Sequence, residues 1–199
     1  NNADVIIICN IDQGSGEIKL VSVFRDTYLS VSDNGLYNKI NQAYFLGGPE
    51  QAVEALNRNL DLQIDDFATF NWKAVVDAVN ILGGVDVELR KAEFYYINAY
   101  ITETVEATGV GSYQLKQAGL NHLDGVQAVA YARLRKMDTD FARTERQREI
   151  IDLCFQKLKK SDFAVVNNVM EAVFPQILSS VTIDDIIPAA RNLTKYTIA

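Results

Sequence analysis

The sequence of 199 residues is short of the side chains that most often carry covalent stabilisation or metal chemistry. It contains one histidine, two cysteines and three prolines. Two cysteines do not make a disulfide framework, so Cys9 and Cys154 are expected to be ordinary buried thiols. One histidine and two distant cysteines also argue against a zinc site. Since no repeat or proline-rich linker divides the chain, residues 1–199 are predicted to form a single domain.

The sequence also lacks a long apolar run and the familiar catalytic or phosphate-binding motifs. Its longest uninterrupted apolar run, Val5–Cys9, is far shorter than the roughly 20 residues that a membrane-spanning helix needs. Any Ser-His or Cys-His mechanism would have to use His122, and no Gly-x-Ser-x-Gly motif accompanies it. Its Asn-His-Leu-Asp-Gly surroundings are typical of a turn, so we expect no catalytic role for it. Neither the Walker A motif nor Gly-x-Gly-x-x-Gly occurs.

Negative charge predominates, but not everywhere. The chain has 26 acidic and 19 basic residues, a net charge of −7, which argues against nucleic acid or an anionic membrane surface as a partner. The segment 131–148 is the exception, with six Lys or Arg against three Asp or Glu. Positive charge concentrated in one segment of an acidic chain favours a small anionic ligand.

The hydrophobic pattern alternates between strands and helices. Residues 4–9 and 17–24 predict two strands joined by a tight turn, the first covered on both faces, and Val85–Leu89 predicts a third. Helices are predicted by apolar spacing and by cap signals. Their predicted ranges are 49–60, 72–82, 125–133, 143–160, 162–178 and 184–193. This interleaving predicts an α/β layered domain with a central mixed β-sheet flanked by helices.

Arginines and aspartates are the remaining candidates for chemistry. Arg25 and Asp26 follow the second strand, and α/β sheets tend to bind ligands at strand ends. Arg133 and Arg135 alternate, so in an extended segment both would point to one face. Asp4 lies near a strand end, where it and Asp26 are candidates to bind a divalent cation together with a diphosphate. Asp4 could equally be an ordinary charge at a sheet edge.

A second group of polar residues follows on one side of the next helix. Arg143, Arg146 and Gln147 share that side, and a reversal before the helix would bring four arginines together around an anion. The alternative is a solvated surface network of arginines and carboxylates. The carboxylates available for it are Asp138, Asp140, Glu145 and Glu149. The aromatic segments 44–45 and 94–96 either line an apolar channel or belong to the core.

Five short segments occur in an order that points to a known family. They are Ser22–Thr27 (SVFRDT), Lys39–Tyr44 (KINQAY), Leu82–Val87 (LGGVDV), Tyr131–Arg135 (YARLR) and Asp140–Gln147 (DFARTERQ). Together they resemble the LytR-CpsA-Psr family of bacterial cell-envelope phosphotransferases. The resemblance covers about residues 4–151, whereas the helices predicted after residue 160 are not part of it.

The resemblance implies a specific activity. Members of the family transfer a glycopolymer phosphate from a polyprenyl diphosphate carrier to an acceptor such as peptidoglycan, with Mg²⁺ as the cofactor. It also implies a location at the extracytoplasmic face of the bacterial membrane, with an N-terminal anchor outside this chain. The domain would then contact the membrane only through that anchor and the lipid substrate. The alternative is a domain of the same fold that binds polyprenyl phosphates without catalysis.

The resemblance also assigns roles to individual residues. Asp4 matches the family's metal-associated aspartate, while Arg25, Arg135 and Arg143 match its diphosphate-contacting, catalytic arginines. Further matches are expected to bind substrate. They are Arg133, Arg146, Gln147, Lys39 and Asp26.

The chain departs from the family pattern in four places. A strand ending in Gly-x-Asp-x-Arg, whose aspartate contributes to the metal site, is absent before the first strand, which leaves metal binding open. Phe24 replaces a proline, Asn80 replaces an aspartate and Ala142 replaces a glycine. Phe24 is expected to alter the wall beside Arg25.

Overall fold

The computed structural model describes residues 2–137 and 139–199, so Asp138 lies outside the described residues. The chain is a mixed α/β protein, as predicted, and its residues form two compact units. The first unit takes in the chain up to Thr69 together with Leu178–Ile186 and Lys195–Ala199, and the second takes in Phe70–Ile177 and Ile187–Thr194. The single domain expected from the sequence stays a prediction.

Strands and helices follow one another along most of the described chain. The strands are β1 (Ile6–Ile11), β2 (Glu17–Val23), β3 (Tyr28–Ser30), β4 (Tyr37–Lys39), β5 (Ala68–Thr69), β6 (Val85–Leu89), β7 (Gly119–Leu123), β8 (Leu178–Ser179) and β9 (Thr197–Ile198). The helices are α1 (Asn41–Leu60), α2 (Trp72–Ile81), α3 (Lys91–Thr108), α4 (Gly125–Arg133), α5 (Asp140–Lys160), α6 (Phe163–Val173) and α7 (Ile183–Arg191). None of the helices within the described ranges is long and apolar enough to cross a bilayer.

A small mixed sheet with the order β1-β2-β9 belongs to the first unit. Strands β1 and β2 are antiparallel, with Ile6 opposite Val23, and β9 runs parallel to β2. The predicted hairpin is therefore confirmed. The expectation that the first strand is covered on both faces is wrong, because three of the six residues of β1 are half-buried and three are exposed.

A second hairpin in the first unit leads directly into α1. Strands β3 and β4 are antiparallel, and Leu29 packs against a buried cluster that includes Val31 and Ile40. Helix α1 is interrupted at Gly47 and Gly48, where the backbone leaves helical geometry. The helical part that was predicted from the sequence therefore begins at the proline that follows these glycines.

The larger core lies in the second unit and surrounds α4. Alternate residues of β6 are buried, and α4 is buried along nearly its whole length. At the start of α4, a Cβ atom added to Gly125 would lie 2.1 Å from the carbonyl oxygen of Val76. Only glycine permits so close an approach of two helices, so this position fixes the packing of α4 against α2.

Three expectations about single side chains need correction. His122 is not in a turn: it lies in β7, and its ring nitrogens are 2.7 Å from Asp86 Oδ1 and 2.8 Å from the Gly83 carbonyl oxygen. Cys9 is exposed rather than buried, since it lies on the edge strand. Cys154 is half-buried, and burial raises the pKa of its thiol to about 11.

The helical and aromatic predictions are corrected in their details. Helix α5 begins at Asp140, three residues before the predicted start, and α6 ends at Val173 rather than at residue 178. In the segment 94–96, Phe94 and Tyr96 pack on the core, as one interpretation held, whereas Tyr95 is exposed and supports neither interpretation.

A buried ion pair connects two helices of the second unit. Glu93 of α3 and Arg146 of α5 are each 2% exposed, and Arg146 Nη1 lies 3.4 Å from Glu93 Oε1. The same carboxylate accepts hydrogen bonds from the backbone nitrogen and the guanidinium of Arg90. The Glu93 carboxylate therefore both caps the start of α3 and neutralises the buried guanidinium of Arg146.

Replacing Glu93 by alanine should strongly destabilise the fold. Glu93→Ala leaves the Arg146 charge buried without its carboxylate, a change that typically costs about 3–5 kcal/mol. Urea unfolding measures the difference. The matched control is Lys73→Ala, which removes an exposed ion pair with Asp77 and should cost less than about 1 kcal/mol. Equal losses in both variants would contradict the importance of the buried pair.

Candidate functional site

A cleft of about 610 Å³ opens in the first unit. Polar and charged residues from the strand ends and the start of α1 line it. They are Asn2, Asp4, Arg25, Asp26, Lys39, Asn41 and Gln42. The cleft thus brings together the four predicted site residues that belong to this unit, although they are far apart in sequence.

Backbone hydrogen bonds explain why these segments meet. The amide of Ile40 donates to the carbonyl of Thr27 over 2.8 Å, and the amide of Asn41 donates to the carbonyl of Arg25 over 3.1 Å. These bonds tie the junction of β4 and α1 to the loop that follows β2. Lys39 and Asn41 are therefore held beside Arg25 by the main chain itself.

Two ion pairs balance the charges of the cleft. Arg25 Nη1 donates to Asp4 Oδ1 over 2.5 Å, and Lys39 Nζ lies 3.1 Å from Asp26 Oδ1. The carboxylates of both pairs remain at least partly exposed. A ligand that enters the cleft can therefore compete for each partner.

Two buried polar atoms of cleft residues have no hydrogen-bond partner in the described part of the chain. They are Arg25 Nε, which is a donor, and Asn41 Oδ1, which is an acceptor. Buried polar atoms are nearly always satisfied, and an unsatisfied one costs about 1–3 kcal/mol. A ligand that offers an anionic oxygen to the first atom and a cation or a hydroxyl to the second would satisfy both.

The residues present fit a magnesium ion that is shared with a ligand. Within residues 2–137 and 139–199, no three His, Cys, Asp or Glu side chains are grouped so that they could hold a metal by themselves. Mg²⁺, however, is often bound by one or two carboxylates together with phosphate oxygens. Asp4, Asp26 and the unpaired Asn41 Oδ1 supply oxygen atoms of this kind in one cleft.

In the second unit, two of the predicted arginines share one carboxylate. Arg135 Nη2 and Arg143 Nη1 each lie 3.7 Å from Asp140 Oδ1. Asp140 is the first residue of α5, whose start is capped by the side chain of Thr139. Two guanidiniums therefore stand beside a helix N-terminus, which itself favours anions. Asp140 thus makes two contacts of the kind that the surface-network alternative expects, although Arg143 is buried rather than solvated.

Arg133 lies apart from this pair. It ends α4, and its guanidinium donates to Thr104 Oγ1 over 2.9 Å and lies 5.8 Å from the ring centroid of Trp72. The expectation that Arg133 and Arg135 point to one face of an extended segment is wrong. Because Arg133 is still helical, the two side chains leave the backbone in different directions and find different partners.

Arg146 and Gln147 are buried and bind the end of α4. Arg146 Nη2 donates to the carbonyl of Leu134 over 2.8 Å, and Gln147 Nε2 donates to the carbonyl of Ala132 over 3.3 Å. The last carbonyls of a helix lack partners within the helix, and these side chains supply them. Both residues thus have a structural use, and their contact with substrate stays a prediction.

Glu149, another carboxylate of the proposed surface network, has a different partner. It accepts a hydrogen bond of 2.8 Å from the hydroxyl of Tyr131. Burial, followed by this bond, raises the pKa of Tyr131 above its ordinary value. Tyr131 therefore stays protonated and acts as a donor that connects α4 with α5.

Sequence reasoning missed Asn41, Gln42 and Asn2 as cleft residues. Asn41 follows Lys39 by two positions inside one of the five family segments, so its place in that segment was an available signal. Its unsatisfied oxygen, by contrast, is a property of the packed structure, which no sequence pattern reports.

Comparison with known proteins identifies the class to which this fold and these residues belong. Residues 1–199 match the profile of the LytR_cpsA_psr family. The chain belongs to this family, as the sequence resemblance indicated.

Two relatives and one solved structure illustrate the match. The chain is 30% identical over 193 residues to the polyisoprenyl-teichoic acid–peptidoglycan teichoic acid transferase TagU of Bacillus cereus. This match covers 96% of the present chain and 58% of that protein. For TagU of Halalkalibacterium halodurans the identity is 29%, covering 92% of this chain and 56% of that protein. A structure of TagT bound to LIIa-WTA superposes with a TM-score of 0.78 at 25% identity, covering 99% of this chain and 71% of that one. The chain thus spans little more than half the length of the two relatives.

Removing the side chain of Asn41, whose amide oxygen is unsatisfied, should change the stability of the fold little. Asn41→Ala loses packing but also relieves an unmet hydrogen bond, so the free energy of unfolding should change by less than about 1 kcal/mol. The control is Asn59→Ala, because the Asn59 amide donates to the carbonyls of Ser30 and Ala55, and its loss should cost about 2 kcal/mol. Urea unfolding compares the two. A loss for Asn41→Ala as large as the control's would show that its oxygen is satisfied within the fold.

Proposed function

We propose that this chain is the catalytic domain of a glycopolymer phosphotransferase. It transfers a phosphate-linked glycopolymer from a polyprenyl diphosphate carrier to a hydroxyl of a cell-wall acceptor such as peptidoglycan. The observation that carries the proposal is the cleft of the first unit, where Arg25 and Asn41 each hold a buried polar atom without a partner beside two exchangeable ion pairs. Membership of the family and the printed names of the TagU relatives support it.

Binding of the diphosphate is assigned to Arg25, which lines the cleft. Its buried Nε has no partner among the described residues, and guanidinium groups match phosphate oxygens in a fork-like geometry. In the second unit, Arg135 and Arg143 are proposed to bind an anionic oxygen of substrate in their own right, because both already lie near Asp140 Oδ1. Lys39, which also lines the cleft, adds a second positive charge.

Magnesium is the proposed cofactor, held by Asp4, with Asn41 as a further oxygen donor. When bound, it would neutralise charge on the phosphate oxygens. The chain's own residues orient the substrate, because phosphoryl transfer depends mainly on positioning and charge stabilisation.

The proposed chemical step is an in-line displacement at phosphorus. The acceptor hydroxyl oxygen forms the new bond to the glycopolymer-linked phosphorus, and the bond to the bridging oxygen breaks, so that polyprenyl phosphate leaves with the electron pair. The hydroxyl proton must pass to a base. Asp26 is assigned this role, because Asp4 is assigned to the metal and a metal-bound carboxylate is a poor base.

The site of action follows from the substrates. A polyprenyl carrier is confined to a membrane, and peptidoglycan lies outside the cytoplasm, so the domain would act at the extracytoplasmic face of the bacterial membrane. An N-terminal anchor outside this chain is part of the same proposal.

Arg135→Ala should reduce transfer by about 10²–10³, as expected for the loss of one group that stabilises developing charge. Its guanidinium is partly exposed and, among the described residues, makes one long contact, with Asp140, so the fold should be retained. Mass spectrometry of prenyl phosphate released from a short-chain prenyl-diphosphate sugar, with peptidoglycan fragments as acceptor, measures turnover. Lys136→Ala removes the same charge one residue further along and should leave turnover nearly unchanged.

Unchanged turnover in Arg135→Ala would remove this residue from the mechanism. Bound prenyl lipid without any release by the unmodified protein would contradict a transferase and favour the non-catalytic alternative.

Asp4→Asn should weaken metal binding without abolishing diphosphate binding. The substitution removes the charge of the assigned metal ligand, and the affinity for Mn²⁺, a spectroscopic substitute for Mg²⁺, should fall by about tenfold or more in the presence of farnesyl diphosphate. Electron paramagnetic resonance measures free Mn²⁺ directly. The control Glu17→Gln removes an exposed carboxylate of β2 that pairs with Lys19. Equal Mn²⁺ affinity in both variants would refute the assignment of Asp4.

A further inference from the structure

Arg133 is anchored by two neighbouring helices, although it lies at the end of its own. It is the last residue of α4, and its side chain keeps 24% of its surface exposed. An arginine in such a place ordinarily samples many rotamers, and holding it still costs side-chain entropy. Here the hydroxyl of Thr104 in α3 and the ring of Trp72 in α2 both contact the guanidinium.

The hydrogen bond between Arg133 and Thr104 has a fixed direction. A guanidinium has no acceptor, so Arg133 Nη1 donates to Thr104 Oγ1, over 2.9 Å. The single hydroxyl hydrogen of Thr104 is used in a bond of 2.7 Å to the carbonyl of Tyr100, one turn earlier in α3. Because Thr104 is fully buried, its oxygen is a well-fixed acceptor for Arg133.

The ring of Trp72 provides the second contact. Arg133 Cζ lies 5.8 Å from the ring centroid, within the distance at which a cation and an aromatic face attract each other. Trp72 packs against the core of the second unit, so the ring is itself held in place. It is also the only tryptophan in the sequence, and its fluorescence therefore reports on the surroundings of Arg133.

These contacts leave part of the guanidinium available. The other terminal nitrogen, Nη2, lies 3.7 Å from Glu103 Oε2, which is longer than a hydrogen bond. Within the part of the chain that the structure describes, Nη2 has no closer acceptor. Glu103 is 54% exposed, and so loose a contact between exposed groups is easily exchanged. Arg133 thus combines a fixed anchor with donors that an anionic oxygen can reach.

We infer that Thr104 is a positioning residue for phosphate binding by Arg133. The inference rests on the proposed function, in which the substrate carries a diphosphate. Thr104 itself does not touch the substrate: its hydroxyl accepts from Nη1 and holds the guanidinium, while Nη2 donates to a phosphate oxygen. An anchored guanidinium loses less freedom on binding than a mobile one, so the anchor increases the affinity for phosphate.

The test measures the affinity of the full chain and of Thr104→Val for farnesyl diphosphate and for inorganic pyrophosphate by isothermal titration calorimetry. Valine keeps the shape of the threonine side chain and removes the acceptor. Both affinities should fall about five- to tenfold, in line with the net energy of one hydrogen bond. Thr104→Ser keeps the hydroxyl and should keep most of the affinity.

Two further variants separate positioning from a purely structural role. The control Thr102→Val removes a hydroxyl of the same helix that donates to the carbonyl of Asn98, and it should change neither affinity. The double variant Thr104→Val/Arg133→Ala should bind no more weakly than Arg133→Ala alone, because Thr104 acts through Arg133. A structural effect of Thr104 would instead add to the loss. Circular dichroism checks that each variant is folded.

The fluorescence of Trp72 shows whether the ligand reaches Arg133. Saturation of the unmodified protein with either ligand should change the Trp72 emission, because a phosphate bound to the guanidinium alters the charge beside the ring. Arg133→Ala should abolish that change.

Several results would overturn the inference. They are unchanged affinities in Thr104→Val, a further loss in the double variant, no binding of pyrophosphate by the unmodified protein, and unchanged Trp72 emission at saturation. A loss confined to farnesyl diphosphate would also overturn it, because the contact would then be with the prenyl chain. Release of prenyl phosphate tests the proposed function separately. If release fails while Thr104→Val still weakens pyrophosphate binding, the proposed function is wrong and the role of Thr104 stands.

Discussion

The buried ion pair between Glu93 and Arg146 is the constraint on which the second unit depends. Removing two opposite charges from water costs several kcal/mol per ion, so such a pair persists only when further hydrogen bonds satisfy both groups. Here Glu93 also caps α3, and Arg146 also binds the carbonyl at the end of α4. One pair of side chains therefore fixes the start of α3, the end of α4 and the first turns of α5. The position of Arg135 and Arg143 follows from that arrangement.

The arginines of one short segment divide between holding the fold and facing a ligand. Arg143 and Arg146 are one helical turn apart on α5, yet Arg146 pairs with a buried carboxylate while Arg143 and Arg135 stand beside Asp140 at the helix N-terminus. A fully buried guanidinium with a carboxylate partner is held in place. Arg143 is itself 5% exposed and is held in the same way, so on the proposed function ligand recognition is better assigned to Arg135, which keeps part of its surface in water.

The sequence predicted most elements but fewer of the side-chain environments. Periodicity and cap residues located α4 and β6 to the residue, because an amphipathic pattern and a glycine or aspartate boundary are local signals. The family resemblance pointed to Asp4 and Arg25, and the structure places both in one cleft. The burial of Arg146 and the unsatisfied oxygen of Asn41 could not be predicted from the sequence, because both depend on which residues from distant segments pack beside them.

On the proposed function, the ion pairs of the cleft would allow a chain with a net charge of −7 to bind a diphosphate. Without ligand, Arg25 is neutralised by Asp4, and a partly exposed pair of this kind contributes only about 0–1 kcal/mol, so its exchange costs little. A diphosphate that binds Arg25 would leave the Asp4 carboxylate without its cation, and a metal ion that binds Asp4 would release Arg25. Each ligand thereby removes an obstacle to the other, and linkage requires the effect to be reciprocal. On the proposed function, metal and diphosphate should therefore bind cooperatively, and together they would replace the ion pair between Arg25 and Asp4.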